Sequence, residues 1–300
     1  LGSTVHGPRW LKRPPEFRVA RNPNTAAVLD STGFLMSLVY GLYVPNAPNL
    51  IAPEVFGGAG KDTVTAIRSL DVQARIRPDA LLVATPHWVT PVFSAQGSKS
   101  PRQIYDFSGF PRTLYEVRYE PPGDPDLAQL IVAEGKRQHL DVEVTTDHGL
   151  DHGAWAPLLH VAPGAATPVV PLSITYLPPE DHLAWGRAIG AALSTTRKRV
   201  AFVATGSITH RLDRFAMSAG EVWPEGAEIE GEIVDLLLAK EYEAVAHLDR
   251  RKWETVAPEG DLAPLFMLLG ALGPTFSPRL VHTGQAFGAA GMSTLEFTPE

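Results

Sequence analysis

The stretch Ala80-Leu81-Leu82-Val83-Ala84-Thr85-Pro86-His87-Trp88 carries the reading of the fold. Its first six residues form a short apolar run without alternation, the pattern of a strand buried on both faces. Pro86-His87-Trp88 then lies just past the carboxyl end of that strand. The same order recurs twice. Val142–Thr145 leads into His148 and His152, and Val200–Thr205 leads through Gly206-Ser207-Ile208-Thr209 into His210. Ser37–Pro45 and Val169–Thr175 read as further strands. Helical spacing falls between these runs, over Thr63–Ile76, Pro125–Gln138 with Asp124 as N-cap, His182–Leu193, Glu228–Ala239 and Leu262–Leu272. The last of these stops at Gly273-Pro274. Alternating strands and helices predict an α/β fold, a single domain with a mainly parallel central sheet flanked by helices. In such sheets ligand sites gather beyond the carboxyl ends of strands. Histidines that are far apart in sequence can therefore converge in one cleft.

The densest polar segment is Thr146–Trp155 (TDHGLDHGAW), with two histidines and two aspartates broken by two glycines. Gly149 and Gly153 permit a sharp turn and close approach to a ligand. Apolar Ala156-Pro157-Leu158-Leu159 follows, so this is a loop re-entering the core, where catalytic histidines are often held. A plainer alternative makes it a capping loop, with Asp147 or Asp151 capping the next helix.

The bulk properties narrow the function. The chain has 300 residues, enough for one large domain or two smaller ones, and an ordinary 44% hydrophobic fraction. A net charge of −7 leaves no basic stripe for phosphates, so no nucleic-acid partner is expected. The absence of cysteine excludes disulfides, thiolate metal sites and a Cys nucleophile. Any metal must sit on His, carboxylate or neutral oxygen ligands. No apolar run reaches the ~18–20 residues of a spanning helix. No membrane partner is expected, and a cytoplasmic location is the default. Residues 1–35 differ from the rest: five Lys/Arg against two acids give them +3, leaving −10 for the remainder. Their four prolines and lack of periodicity suggest a loose extension, or an upstream reading of the start site, with the folded domain over 36–300. A transit peptide fits poorly with the prolines, Glu16 and Asp30.

Six segments, taken in order, resemble the class III extradiol ring-cleavage dioxygenases of the LigB-like and DOPA-dioxygenase type. They are ATPHW (84–88), YDFSGFP (105–111), LYEVRYEPPGDPDLA (114–128), DHGLDHGAWAPL (147–158), GSITHRL (206–212) and EGDLAPLFMLLGALG (259–273). The resemblance implies non-haem Fe(II) held by two histidines and one carboxylate, with positions left for a catechol and O₂. A histidine acid/base then moves protons at the ring hydroxyl. By resemblance, His87 matches a metal histidine, His210 the acid/base, and His152 a histidine touching substrate or oxygen. Asp261 falls where relatives carry the carboxylate ligand, and Glu259 can serve instead. His148, Trp88, Tyr105 and Phe110 are expected around the substrate. Where relatives carry another metal histidine in a VPHAP-like setting, this chain has Asn46, in VPNAPNL (44–50). An amide oxygen is a weaker donor than imidazole, so metal affinity should drop.

Each site residue also has a plainer reading. His87 with Trp88 can be a loop-edge pair, His210 with Arg211 a surface pair, and Asp261 the N-cap of the helix that follows. Three functions stay open. The first is a dioxygenase for a catechol-type or 2-aminophenol-type aromatic. The second is a non-catalytic member of the same fold, a binding or partner subunit whose metal site Asn46 has degraded. The third is a zinc hydrolase on the same ligands, although no HExxH occurs. The expected partners are a small aromatic substrate and O₂, with homo-oligomer formation and a possible partner subunit.

Overall fold

The computed structural model describes residues 37–214, 222–288 and 290–300, together with two short strands upstream. Those strands, β1 (Arg18–Val19) and β2 (Val28–Leu29), pair antiparallel. They belong to a unit of Leu1–Met36, distinct from Ser37–Glu300. Apart from them, the loose extension expected over 1–35 lies outside the described residues.

The larger unit is built on eight strands: β3 (Leu38–Val44), β4 (Ala80–Val89), β5 (Phe93–Gln96), β6 (Val142–Thr145), β7 (Val169–Ile174), β8 (Val200–Thr205), β9 (Phe276–His282) and β12 (Thr294–Pro299). A small separate ribbon pairs β10 (Gln285–Ala286) with β11 (Ala290–Gly291). The main sheet runs β6-β5-β7-β4-β8-β3-β12-β9. Its centre, β7-β4-β8-β3, is parallel throughout. The antiparallel pairs lie toward the two sides, β5 with β7 and β12 with β3 and β9. The α/β reading with a mainly parallel sheet therefore holds.

The connecting helices are α1 (Lys61–Ser69), α2 (Val72–Arg75), α3 (Pro125–Arg137), α4 (His152–Val161), α5 (Pro179–Leu193), α6 (Pro224–Leu238), α7 (Tyr242–Ala246), α8 (Arg250–Val256) and α9 (Ala263–Leu272). Both faces of the sheet are covered, which explains why the central strands read as unbroken apolar runs. Leu42, Leu81, Val83, Ala201 and Val203 face a core shared with Trp155 and Leu158 of α4. The alternate position Gly41 faces Leu268 and Leu272 of α9. Helix α9 is buried along almost all its length, as its apolar sequence requires.

Two sequence expectations shift. The helix over Thr63–Ile76 is two helices, because Asp71 takes a left-handed conformation (φ 45°) between α1 and α2. Strand β4 does not stop at Thr85 but runs through Pro86-His87-Trp88 to Val89, with its pairing to β7 shifted between Ala84 and Val89. Pro86 has no N–H for the ladder, so the regular pairing lapses there. His87 thus sits on the irregular end of the strand rather than beyond it.

Candidate active site

Three central strands deliver the site. After β3 the chain places Asn46, the end of β4 places His87, and the segment after β8 places Ser207 and His210. Helix α4 begins at His152, and a loop after β5 brings Asp106, Phe107 and Phe110. The remaining contributor is Glu259, in a 3-10 turn (Glu259–Leu262) before α9.

The α4 entry explains the DHGLDHG segment. Asp151 is the N-cap, its Oδ1 accepting from the Ala154 N–H at 3.1 Å. The same oxygen accepts from Thr85 Oγ1 at 2.9 Å, tying α4 to the end of β4. The capping alternative is thus correct for Asp151, and the adjacent His152 still enters the site. Gly153 is required because a Cβ would lie 2.5 Å from Thr85 Oγ1 and 2.8 Å from His87 Cδ2. At Gly149 a Cβ would overlap the Arg102 carbonyl oxygen at 1.9 Å. Both glycines make room for the protein's own chain.

Glu259 is held in place by an unusual backbone. Gly260, Asp261 and Leu262 are successively left-handed (φ 56°, 51° and 56°). The two non-glycine residues carry strain of about 1–3 kcal/mol each. The Glu259 N–H donates to Ser207 O at 3.0 Å, and its Oε2 accepts from the Ser207 N–H at 3.1 Å. Its Oε1 faces His87 Nε2 at 3.0 Å, Asn46 Nδ2 at 3.2 Å and His210 Nε2 at 4.0 Å. Burial opposes charge on Glu259, but the His87 hydrogen bond and the two histidines outweigh it and hold its pKa below the ordinary value.

Asp106 joins two histidines. Oδ2 pairs with His87 Nδ1 at 2.7 Å; Oδ1 pairs with His152 Nδ1 at 2.8 Å and accepts from the His152 N–H at 2.7 Å. Partial burial works against its charge, yet these bonds hold its pKa far below the carboxylate range. Burial also disfavours a charged His87, but the bonds to Asp106 and Glu259 win and raise it to about 10. With Nδ1 committed to Asp106, His87 directs Nε2 at Glu259, and His152 keeps Nε2 for the cavity. The two imidazoles meet edge to face, centroids 4.3 Å apart.

His87, His152 and Glu259, but not Asp106, line one cavity of about 370 Å³, toward the small end of the range for ligand pockets. Its walls include the polar Asn46, His87, His152, Ser207, His210 and Glu259, with Phe107 against His152 and Phe110 beside Phe107. Larger hollows, of about 580 Å³ beside α1 and about 630 Å³ near Arg102 and Arg118, bring no pair of histidines to a carboxylate.

The structure therefore gathers Asn46, His87, His152, His210, Glu259 and Phe110. It does not gather the other expected residues. Asp261 lines a different hollow with His182, and its Oδ1 accepts from Trp253 Nε1 at 3.0 Å. Nor does it cap α9, whose N-cap position is Leu262. Its left-handed backbone turns it away from Glu259's direction. Trp88 stacks on His148 at 4.6 Å, away from the cavity wall, and His148 Nε2 bonds Asp151 Oδ2 at 3.0 Å. Tyr105 lies behind the wall, its hydroxyl donating to Val117 O at 2.5 Å and its ring against Phe107 and Trp155. Sequence reasoning missed Asp106 as a functional residue, although DFSGFP contains it. It also missed Ser207, whose N–H is the group that matters.

Two metal positions are conceivable from the donors. His87, Asp106 and His152 bring ligand-type atoms within 4.8 Å of one another. On the cavity side, His87 Nε2, Glu259 and the Asn46 amide converge. Imidazole, carboxylate and amide oxygen together suit a divalent first-row cation. Rotating the Asn46 amide would turn its oxygen toward Glu259's neighbours, since amide N and O are interchangeable in placement.

A histidine–carboxylate centre beyond the carboxyl ends of a parallel sheet, opening on a small aromatic-walled cavity, defines an α/β enzyme. Residues 52–296 match the family model of the catalytic LigB subunit of aromatic ring-opening dioxygenase. A Mirabilis jalapa protein named 4,5-DOPA dioxygenase extradiol is 32% identical over 230 residues, covering 74% of this chain and 84% of that one. The Escherichia coli K12 protein of the same name is 36% identical over 140 residues, 45% of this chain and 49% of its own. A crystal structure of an uncharacterized Escherichia coli K12 protein shares the fold, with a TM-score of 0.67 at 22% identity over 86% of this chain and 99% of that one. The chain belongs to the LigB family of aromatic ring-opening dioxygenases. It is thus an oxidoreductase of the dioxygenase type. Among the described residues, no helix is long and apolar enough to cross a membrane.

Proposed function

We propose that this chain opens a catechol-type or 2-aminophenol-type ring in the extradiol manner, with Fe(II) as its cofactor and both atoms of O₂ entering the product. One observation carries the reading: Glu259, His87, Asn46 and His210 meet in a cavity that Phe107 and Phe110 also line. His87 Nε2, a Glu259 oxygen and the Asn46 amide oxygen would hold the metal there. When bound, Fe(II) supplies a Lewis-acid centre that brings the two ring oxygens and O₂ together. The cavity-side position is preferred because Asp106 is already committed to three short hydrogen bonds and does not line the cavity.

The chain's own residues do the rest. Asp106 fixes the ring orientation and tautomer of His87 and His152, as carboxylate partners of ligand histidines do. His210, its backbone N–H held by Val256 O at 2.8 Å, presents its ring to the cavity and takes the proton of the substrate hydroxyl. His152, its Nδ1–H donating to Asp106, accepts at Nε2 from the substrate hydroxyl. Phe107 and Phe110 shape the slot for the aromatic ring.

The test is anaerobic reconstitution with Fe(II), followed by catechol, protocatechuate, homoprotocatechuate and 2-aminophenol in air. Oxygen uptake with a yellow ring-opened product is expected. The His210→Ala variant should keep metal and substrate binding and lose turnover. If it also loses the metal, His210 is a ligand and the proton-transfer role is wrong.

A further inference from the structure

We propose that the cavity selects catechols bearing a neutral, apolar substituent over those bearing a carboxylate tail. The inference rests on the catechol reading above and adds which catechol. The polar lining groups are Asn46, His87, His152, Ser207, His210 and Glu259, and the rest of the lining is apolar: Ala47, Pro48, Phe107, Phe110, Leu212 and Ala290. A ring held by its oxygens at the polar groups leaves its substituent against that apolar lining. A carboxylate placed there would lose water and gain no donor.

Charge points the same way. Among the described residues no Lys or Arg lines the cavity, and its one carboxyl, Glu259, is engaged by His87 and Asn46. The arginines that approach are engaged elsewhere. The Arg211 guanidinium donates to Asp213 and to Thr255 O, and Arg118 donates to the Tyr105 hydroxyl at 3.0 Å. DOPA, for which several relatives are named, carries a charged amino-acid tail. Nothing on this wall is suited to such a tail.

The test uses the full chain loaded with Fe(II), so a cation brought by any other segment would show as a refuting result. Equilibrium titrations without oxygen compare near-isosteric pairs: 4-isobutylcatechol with 3,4-dihydroxyphenylacetate, and 4-(3-methylbutyl)catechol with 3-(3,4-dihydroxyphenyl)propanoate. The neutral member of each pair should bind about tenfold tighter or better. Each added methylene should strengthen binding by about fourfold, the value of burying one CH₂. Equal or tighter binding of the acids overturns the proposal, as does failure of both members to bind. Leu212 is 60% exposed, so Leu212→Arg should fold. It should shift the preference toward the acids by about tenfold; an unchanged ratio would show that the substituent does not meet this wall. Ring opening is followed in parallel. Preference for neutral catechols without turnover would sink the dioxygenase reading and leave this one; turnover with a preference for acids would do the reverse.

Discussion

Replacing Asp106 by asparagine keeps the side chain's size and removes the charge that two histidines share. The carboxylate accepts from His87 Nδ1 at 2.7 Å, His152 Nδ1 at 2.8 Å and the His152 N–H at 2.7 Å. Asparagine retains one acceptor oxygen and offers an NH₂ where the other oxygen was. At least one imidazole N–H then faces a donor. Hydrogen bonds to charged groups are worth about 1.5–3 kcal/mol, and the loss of one corresponds to about 10- to 100-fold. The same range is typical when the partner of a ligand histidine is removed. Anaerobic Fe(II) titration of Asp106→Asn should therefore show 10- to 100-fold weaker binding with one-to-one stoichiometry retained. Turnover should fall by a similar factor, and the imidazole Nδ1–H resonances should lose their hydrogen-bonded shift. Unchanged affinity and turnover would refute the positioning role. Complete loss of stoichiometric binding would instead make Asp106 a ligand, with the metal between His87, Asp106 and His152.

Other perturbations test separate parts of the account. Asn46→His should raise Fe(II) affinity by about tenfold or more, since imidazole replaces an amide; no change in the titration would place residue 46 outside the metal's ligands. Gly153→Ala should cost about 1–3 kcal/mol, as its Cβ would fall 2.5 Å from Thr85 Oγ1. Thermal unfolding should show a drop of several degrees, and an unaltered midpoint would mean that the α4 entry yields freely. Glu230 is 3% exposed, and burial raises its pKa despite the Ser293 hydrogen bond. The native state favours its neutral form. Its contribution to stability is thus complete below the ordinary carboxyl pKa and is lost as pH rises toward the raised native value. The melting-temperature advantage of Glu230→Gln over the parent should widen from pH 4 to pH 7. A pH-independent difference would contradict the buried, neutral carboxyl.

Much of the fold was legible because both faces of the sheet are covered. Leu38–Val44 and Val200–Thr205 read as unbroken apolar runs for that reason, and Asn46 and His210 after them fall where a parallel sheet gathers its ligands. The break at Asp71 was not legible, since apolar spacing continues across it and only a left-handed backbone divides the helices. The choice between Glu259 and Asp261 was hidden for the same reason: two carboxylates two residues apart point apart because the intervening turn is left-handed. Trp88 and His148 belong to motif segments, but alternation along β4 and the Asp151 bond direct them to each other rather than to the cavity. Asp106 lay in a segment read as pocket-shaping. Its role depends on two histidines 19 and 46 positions away, which no local pattern displays.

The separations within the site have a bearing on how the enzyme matures. Asn46 and Glu259 are 213 residues apart and His87 and Glu259 are 172 apart, yet they share one carboxylate oxygen. No fragment ending before the last of these can assemble the centre, whatever its own stability. During synthesis the histidine of β4 emerges long before its carboxylate partner, and the central strands must pair before the two can meet. On the proposed ligand set, metal loading would follow closure of the sheet. Metal retention then reports on the integrity of the whole domain, because binding that favours only the native state stabilises all of it.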